Sequence, residues 1–128
     1  MTTKTILVIE DNEMNMKLMK AVLKIGPYRM LEAVDAETGL ALARKDPPDL
    51  ILMDIQLPGM DGLSATRIIK SDQELRTIPV IAITGFAMDA DKENAKEVGF
   101  DAYIVKPFHV KALLEMIDGL LGLGRPDH

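Results

Sequence analysis

Ile6-Leu7-Val8-Ile9 is a short, wholly apolar run that stops at two acids. The chain repeats that design at Asp49-Leu50-Ile51-Leu52-Met53, stopped by Asp54, and at Pro79-Val80-Ile81-Ala82-Ile83, stopped by Thr84. Runs of this length read as strands buried on both faces of a parallel sheet, because a strand with one wet face alternates apolar and polar residues. Residues 28–34 and 102–105 are weaker candidates for two more strands. Segments of helical length and period lie between the runs, at 12–25, 35–45, 61–70, 88–98 and 108–121.

The pattern is therefore β-α repeated five times. Asp35, Asp61 and Asp89 stand where helix N-caps are wanted, and Gly26 and Gly99 where C-caps are. Asp46-Pro47-Pro48 breaks the second helix ahead of the third strand. Strands alternating with helices pair in parallel through right-handed crossovers, so helices cover both faces of an open sheet. The expected architecture is a doubly wound α/β fold. In such sheets the ligand site lies beyond the carboxyl ends of the strands, where strand order reverses.

With 128 residues the chain is sized for one domain. Its 20 acidic against 15 basic residues give a net charge of -5, which disfavours nonspecific attraction to nucleic acid or to anionic lipid. The absence of cysteine excludes disulfides, thiolate metal sites and a cysteine nucleophile. No segment has the apolar length of a signal peptide or a membrane span, so a cytoplasmic location is expected.

The residues at the ends of the apolar strands carry the chemistry. Glu10-Asp11 comes after the first, Asp54 after the third, Thr84 after the fourth and Lys106 after the fifth. The fold rule gathers them into one site of three carboxylates, a hydroxyl and an ammonium. Carboxylates about 4 Å apart repel by roughly 4 kcal/mol per pair at an effective dielectric near 20, so a positive partner is required. Lys106 supplies part of that charge. An all-oxygen cluster without His or Cys suits a hard cation, and Mg²⁺ fits better than Ca²⁺, because no run of alternating oxygen ligands forms a calcium loop. Flanked by such a cation and Lys106, Asp54 is a candidate nucleophile toward phosphorus, with Thr84 as a hydroxyl donor to the phosphoryl oxygens. Taken alone, Glu10-Asp11 also reads as an acidic pair complementing a helix N-terminus. Company at four strand ends favours the shared site.

Val8-Ile9-Glu10-Asp11-Asn12, Met53-Asp54-Ile55-Gln56-Leu57-Pro58-Gly59-Met60-Asp61-Gly62, Ile83-Thr84-Gly85 and Lys106-Pro107-Phe108 resemble, in order and spacing, the motifs of response-regulator receiver domains. Within that CheY-like superfamily, the combination of Glu-Asp-Asn-Glu with Asp-Ile-Gln-Leu-Pro and Gly-Phe-Ala-Met looks most like single-domain DivK-type regulators and the receivers of hybrid kinases. The resemblance implies a flavodoxin-like five-stranded sheet of order 2-1-3-4-5, with a receiver domain at 4–121 and a flexible tail at 122–128. It implies Asp54 as phosphoacceptor, with Thr84 and Lys106 gripping the phosphoryl group alongside the backbone N–H of Gly85. Mg²⁺ would be held by Glu10, Asp11, Asp54 and the backbone carbonyl of Gln56. Tyr103 would change rotamer with Thr84, and the Lys106-Pro107 peptide would be cis.

The implied function is that of a two-component response regulator and not of an enzyme, beyond catalysing its own phosphorylation and dephosphorylation. Its donor would be a histidine kinase or a histidine phosphotransfer protein. A downstream protein would read the face of the fourth predicted helix, the fifth strand and the fifth predicted helix, with no direct nucleic-acid or membrane contact and a monomeric or weakly dimeric state. The first predicted helix carries two apolar stripes, Met14-Leu18-Ala21-Ile25 and Met16-Met19-Leu23, although one suffices to face a core. In the family the histidine donor docks near this helix, so one stripe is a candidate docking surface, which of the two being open at this point. Phe86, two residues past Thr84, is a candidate shield against water, and His109 is expected at the solvent-facing start of the last helix.

Three other readings compete. A flavodoxin-type binder needs a hydroxyl-rich first loop, whereas two acids here would repel a flavin phosphate. An Asp-nucleophile phosphatase needs a second acid two residues after Asp54, where Gln56 stands. A receiver fold used as an unphosphorylated interaction module, or one cut from a hybrid kinase, shares every motif above.

Overall fold

The computed structural model describes residues 3–55, 59–60, 62–84 and 99–122. Within them β1 (Lys4–Ile9), β2 (Tyr28–Ala33), β3 (Leu50–Asp54), β4 (Val80–Thr84) and β5 (Ala102–Val105) form one sheet, interleaved with α1 (Glu13–Leu23), α2 (Ala36–Lys45), α3 (Gly62–Ser71) and α4 (Val110–Leu121). All pairings are parallel and the order is β2-β1-β3-β4-β5. This is the doubly wound fold the apolar runs predict. The predicted helix at 88–98, with its N-cap Asp89, lies outside the described residues.

Strand alternation divides the core. Leu7, Ile9, Ile51, Met53 and Val80 face α2 and α3. Ile6, Val8, Leu52, Ile81 and Ile83 face α1 and α4. β1, β3 and β4 are covered on both sides, which is why their sequences are continuously apolar. β2 is an edge strand with exposed Arg29 and Glu32, so its pattern is mixed and its sequence signal weaker.

The helices start and stop for local reasons. The Asn12 side chain accepts the Asn15 N–H at 2.9 Å to cap α1, and Asp35 accepts that of Thr38 at 2.7 Å to cap α2. Asp46 ends α2 before its two prolines. One expectation fails: Gly26 is not a left-handed C-cap. α1 ends on Lys24 in right-handed conformation, and a Cβ on Gly26 would lie 2.2 Å from the Tyr28 ring, so the glycine serves ring packing instead. Gly99 does adopt a positive φ, +105°. His109 is the exposed N-cap residue of α4 and gives no side-chain cap.

Candidate functional site

The register aligns the strand ends. Ile9 pairs with Met53, Asp54 with Ile83 and Thr84 with Val105, so Asp54 and Thr84 at the ends of β3 and β4, and Glu10 and Lys106 just past β1 and β5, come out at one edge of the sheet. Alternation then selects the side. Glu10 continues the parity of Val8, Asp54 that of Leu52 and Lys106 that of Ile104, all three of which belong to the face under α1 and α4. The chain leaves β1 for β2 on one side and reaches β3 on the other, so Glu10-Asp11 and Asp54 flank the point where strand order reverses.

Carboxylate oxygens of Glu10, Asp11 and Asp54 lie within 4.8 Å of one another. The Lys106 ammonium sits 3.6 Å from Glu10 Oε1 and 3.9 Å from Asp54 Oδ2. The Lys106 N–H donates to the Thr84 carbonyl at 2.7 Å, which extends the β4–β5 pairing by one step and fixes where the lysine leaves the sheet. Lys106-Pro107 is cis, as the resemblance implies. Glu10, Asp54 and Lys106 border a cavity of about 10 Å³ floored by Val8, Met19 and Ile83.

Burial decides the electrostatics. Glu10 is 3% exposed and Asp54 6%, whereas Asp11 is at the surface. Neither Glu10 oxygen has a hydrogen-bond partner among the described residues. Burial, reinforced by the adjacent Asp54 carboxyl and opposed by Asn15 and Lys106, pushes the Glu10 carboxyl up to about 7. Two unsatisfied, deeply buried carboxylate oxygens beside two more acids make an all-oxygen donor set that fits a hard divalent cation.

Of the remaining predicted positions, Thr84 is buried at the end of β4. Tyr103 is half-buried on β5, and since Thr84 registers with Val105 two residues further on, tyrosine and threonine share a face. Gln56, Gly85, Pro58, Asp61 and Phe86 lie outside the described residues. A positioning role that turn chemistry alone does not reveal belongs to Gly62. Its N–H donates to the Ile55 carbonyl at 3.1 Å, and a Cβ there would stand 2.6 Å from the Asp54 carbonyl oxygen and 2.8 Å from Ile55 Cα. The start of α3 thus presses against the backbone that carries Asp54, a contact only glycine permits. The sole hint in the sequence is a glycine opening a helix, where most residues would serve.

A parallel α/β sheet with an acid cluster and a lysine at its switch point is the framework of a two-component signalling switch. Residues 6–118 match the response regulator receiver domain, and the chain belongs to that family. It is 47% identical over 120 residues to the polar-differentiation response regulator DivK of Brucella ovis, an alignment spanning 94% of this chain and 98% of that protein. Among solved structures it is similar to the receiver domain of a sensor histidine kinase from Pseudomonas aeruginosa, with 35% identity, a TM-score of 0.86 and coverage of 94% of this chain and 99% of that one. That structure holds a magnesium ion coordinated in its active site cleft. A chemotaxis response regulator of Vibrio cholerae shares the fold, with a TM-score of 0.87 at 24% identity over 93% of this chain and 99% of its own. The chain is accordingly a response regulator of two-component signal transduction. Receivers interact with histidine kinases or phosphotransfer proteins and with downstream targets. No helix among the described residues is long and apolar enough to cross a membrane.

Proposed function

We propose that this protein accepts a phosphoryl group on Asp54 from a phosphohistidine donor in a Mg²⁺-dependent reaction and thereby switches its binding to a protein partner in the cytoplasm. The observation that carries the reading is the convergence of three carboxylates within 4.8 Å at the strand-order switch point, with the Lys106 ammonium against two of them.

In this reading Asp54 Oδ attacks the phosphorus, the P–N bond breaks and the histidine ring nitrogen leaves with the bonding pair. Mg²⁺, when bound, neutralises charge on the phosphoryl oxygens and on the acids. Asp11 and Asp54 would hold it, with Glu10 behind them and the Gln56 carbonyl as a further ligand. Lys106, at the rim of the cluster, pairs with the phosphoryl oxygens, and the Thr84 hydroxyl and Gly85 N–H donate to them. Tyr103, on the face of Thr84, follows its movement. Phosphorylation and its reversal are then the only chemistry the chain performs.

α1 supports the choice of donor. Met14, Leu18, Ala21 and Ile25 are all exposed, while Met16, Met19 and Leu23 of the second stripe are buried, so the structure answers which stripe packs. Within α1 the exposed stripe Met14, Leu18 and Ala21 has a 4-3 spacing, the seam with which a helix packs nearly parallel against other helices, and Ile25 extends the apolar surface just past the helix end. The stripe starts three residues beyond Asp11 in the chain. Lys17 and Lys24 flank it at equivalent positions, which opposes pairing of two copies of α1 and favours a helical partner with acidic flanks. A histidine-bearing helical bundle offers such a helical surface.

Incubation with acetyl phosphate and Mg²⁺ tests the proposal. Intact mass should rise by one phosphoryl group, and the gain should vanish in Asp54→Asn and in excess EDTA. A gain that persists in Asp54→Asn would refute the assignment.

A further inference from the structure

The structure separates the methionines of α1 sharply. Met16 and Met19 are 7% and 3% exposed, and Met53 on β3 is fully buried, whereas Met14 is 72% exposed. It is the only exposed methionine among the described residues, the others being buried or half-buried. Met14 also heads the exposed apolar stripe of α1, three residues past Asp11 in the chain. Thioethers react with peroxide according to access, and the product replaces an apolar contact with a polar, chiral sulfoxide. A surface that uses methionine for adaptable contacts loses them on oxidation.

We propose that Met14 is a redox-sensitive modification site: peroxide oxidises it ahead of the other described methionines, and the resulting sulfoxide blocks phosphoryl acceptance from a protein donor while leaving the acceptor chemistry intact. In the step, the Met14 sulfur attacks one peroxide oxygen, the O–O bond breaks and the second oxygen leaves as water. The sulfur is oxidised by two electrons and the peroxide reduced by two. The inference rests on the docking role of α1 proposed above, and the core is untouched because Met14 makes no part of it. Reduction of the sulfoxide restores the thioether, so the block is reversible.

The test treats the protein with graded hydrogen peroxide, quenches with catalase and maps sulfoxide by peptide mass spectrometry. Transfer is then measured from the autophosphorylated histidine kinase that donates fastest to the untreated protein in a screen of kinases from the same genome. Labelling by acetyl phosphate is measured in parallel. Met14 should oxidise before Met16, Met19 and Met53. Transfer from the kinase should fall about ten-fold as Met14 is consumed, the scale of placing one polar group in an apolar contact. Acetyl phosphate labelling should not change, methionine sulfoxide reductases should restore transfer, and Met14→Leu should hold its rate through the peroxide treatment. Full oxidation of Met14 with undiminished transfer, or equal loss in Met14→Leu, overturns the inference. Leu18→Glu separates the two layers. If it leaves kinase transfer unchanged, the docking reading itself falls. If it slows transfer while oxidation of Met14 does not, only the redox inference does.

Discussion

Glu10 is the residue on which the site's energetics turn. Its carboxyl is held near 7 against an ordinary 4.5, chiefly by burial and then by Asp54, with Asp11 also facing it and Asn15 and Lys106 opposing. A carboxyl raised on folding makes the native state bind more protons than the unfolded one. The metal-free protein is therefore at no disadvantage below about pH 4.5, and loses stability as pH climbs through 7. The loss is at most roughly 3 to 4 kcal/mol, from about 1.4 kcal/mol per pH unit between 4.5 and about 7. Thermal melts in EDTA should thus give a lower Tm at pH 8 than at pH 5.5. Glu10→Gln should remove most of that difference, and Mg²⁺ should raise Tm more at pH 8 than at pH 5.5. Equal pH dependence in wild type and Glu10→Gln would show that the carboxyl is not under this strain.

The same residue marks a boundary of sequence legibility. That Glu10, Asp11, Asp54 and Lys106 meet can be deduced from strand ends and a fold rule. That Asp11 is exposed and Glu10 buried depends on how Met19 and Ile83 close beneath the cluster, a tertiary fact that no pattern announces.

Among the elements, three strands are plain from the sequence because the sheet buries both their faces, while the edge position of β2 dilutes its signal. α1 is ambiguous for the opposite reason. Both its stripes are apolar, and only packing on β1 and α4 decides that Met16, Met19 and Leu23 go inward. That division predicts unlike outcomes on one helix. Met19→Ala should cost about 2–5 kcal/mol in urea unfolding, whereas Leu18→Glu should stay within about 0.5 kcal/mol and yet slow transfer from a protein donor. Equal stability losses would mean that the packing of α1 is misassigned.

Two helix glycines make a parallel contrast. At Gly39 an added methyl meets the Ile9 Cδ1 at 2.4 Å, the far end of a side chain that can turn. At Gly62 it meets backbone. Overpacking costs about 1–3 kcal/mol, and we expect Gly62→Ala at the upper end with slowed phosphorylation. Gly39→Ala should fall at the lower end, offset by the better helix propensity of alanine, with phosphorylation unchanged. Comparable acetyl phosphate rates for the two variants would remove Gly62 from its positioning role.

For the molecule as a whole, the resting ion pairs limit what Lys106 contributes to switching. An ion pair at about 4 Å and an effective dielectric near 20 is worth roughly 4 kcal/mol, and reversing a two-state equilibrium from 1:99 to 99:1 takes about 5.5 kcal/mol. Lys106 already neighbours Glu10 and Asp54, so its new pairing with a phosphoryl group adds only the difference between the two arrangements. Donation from Thr84 and rearrangement at β5 must supply the rest. Switching of this kind therefore requires the phosphoryl group on Asp54 itself, at the centre of the charge cluster. Borohydride reduces an acyl phosphate to the alcohol, so treating the phosphorylated protein and sequencing its peptides by mass spectrometry locates the group directly. Homoserine at position 54 alone is the expected result, and homoserine at position 11 or reduction of any other acid, with position 54 unreduced, would contradict it.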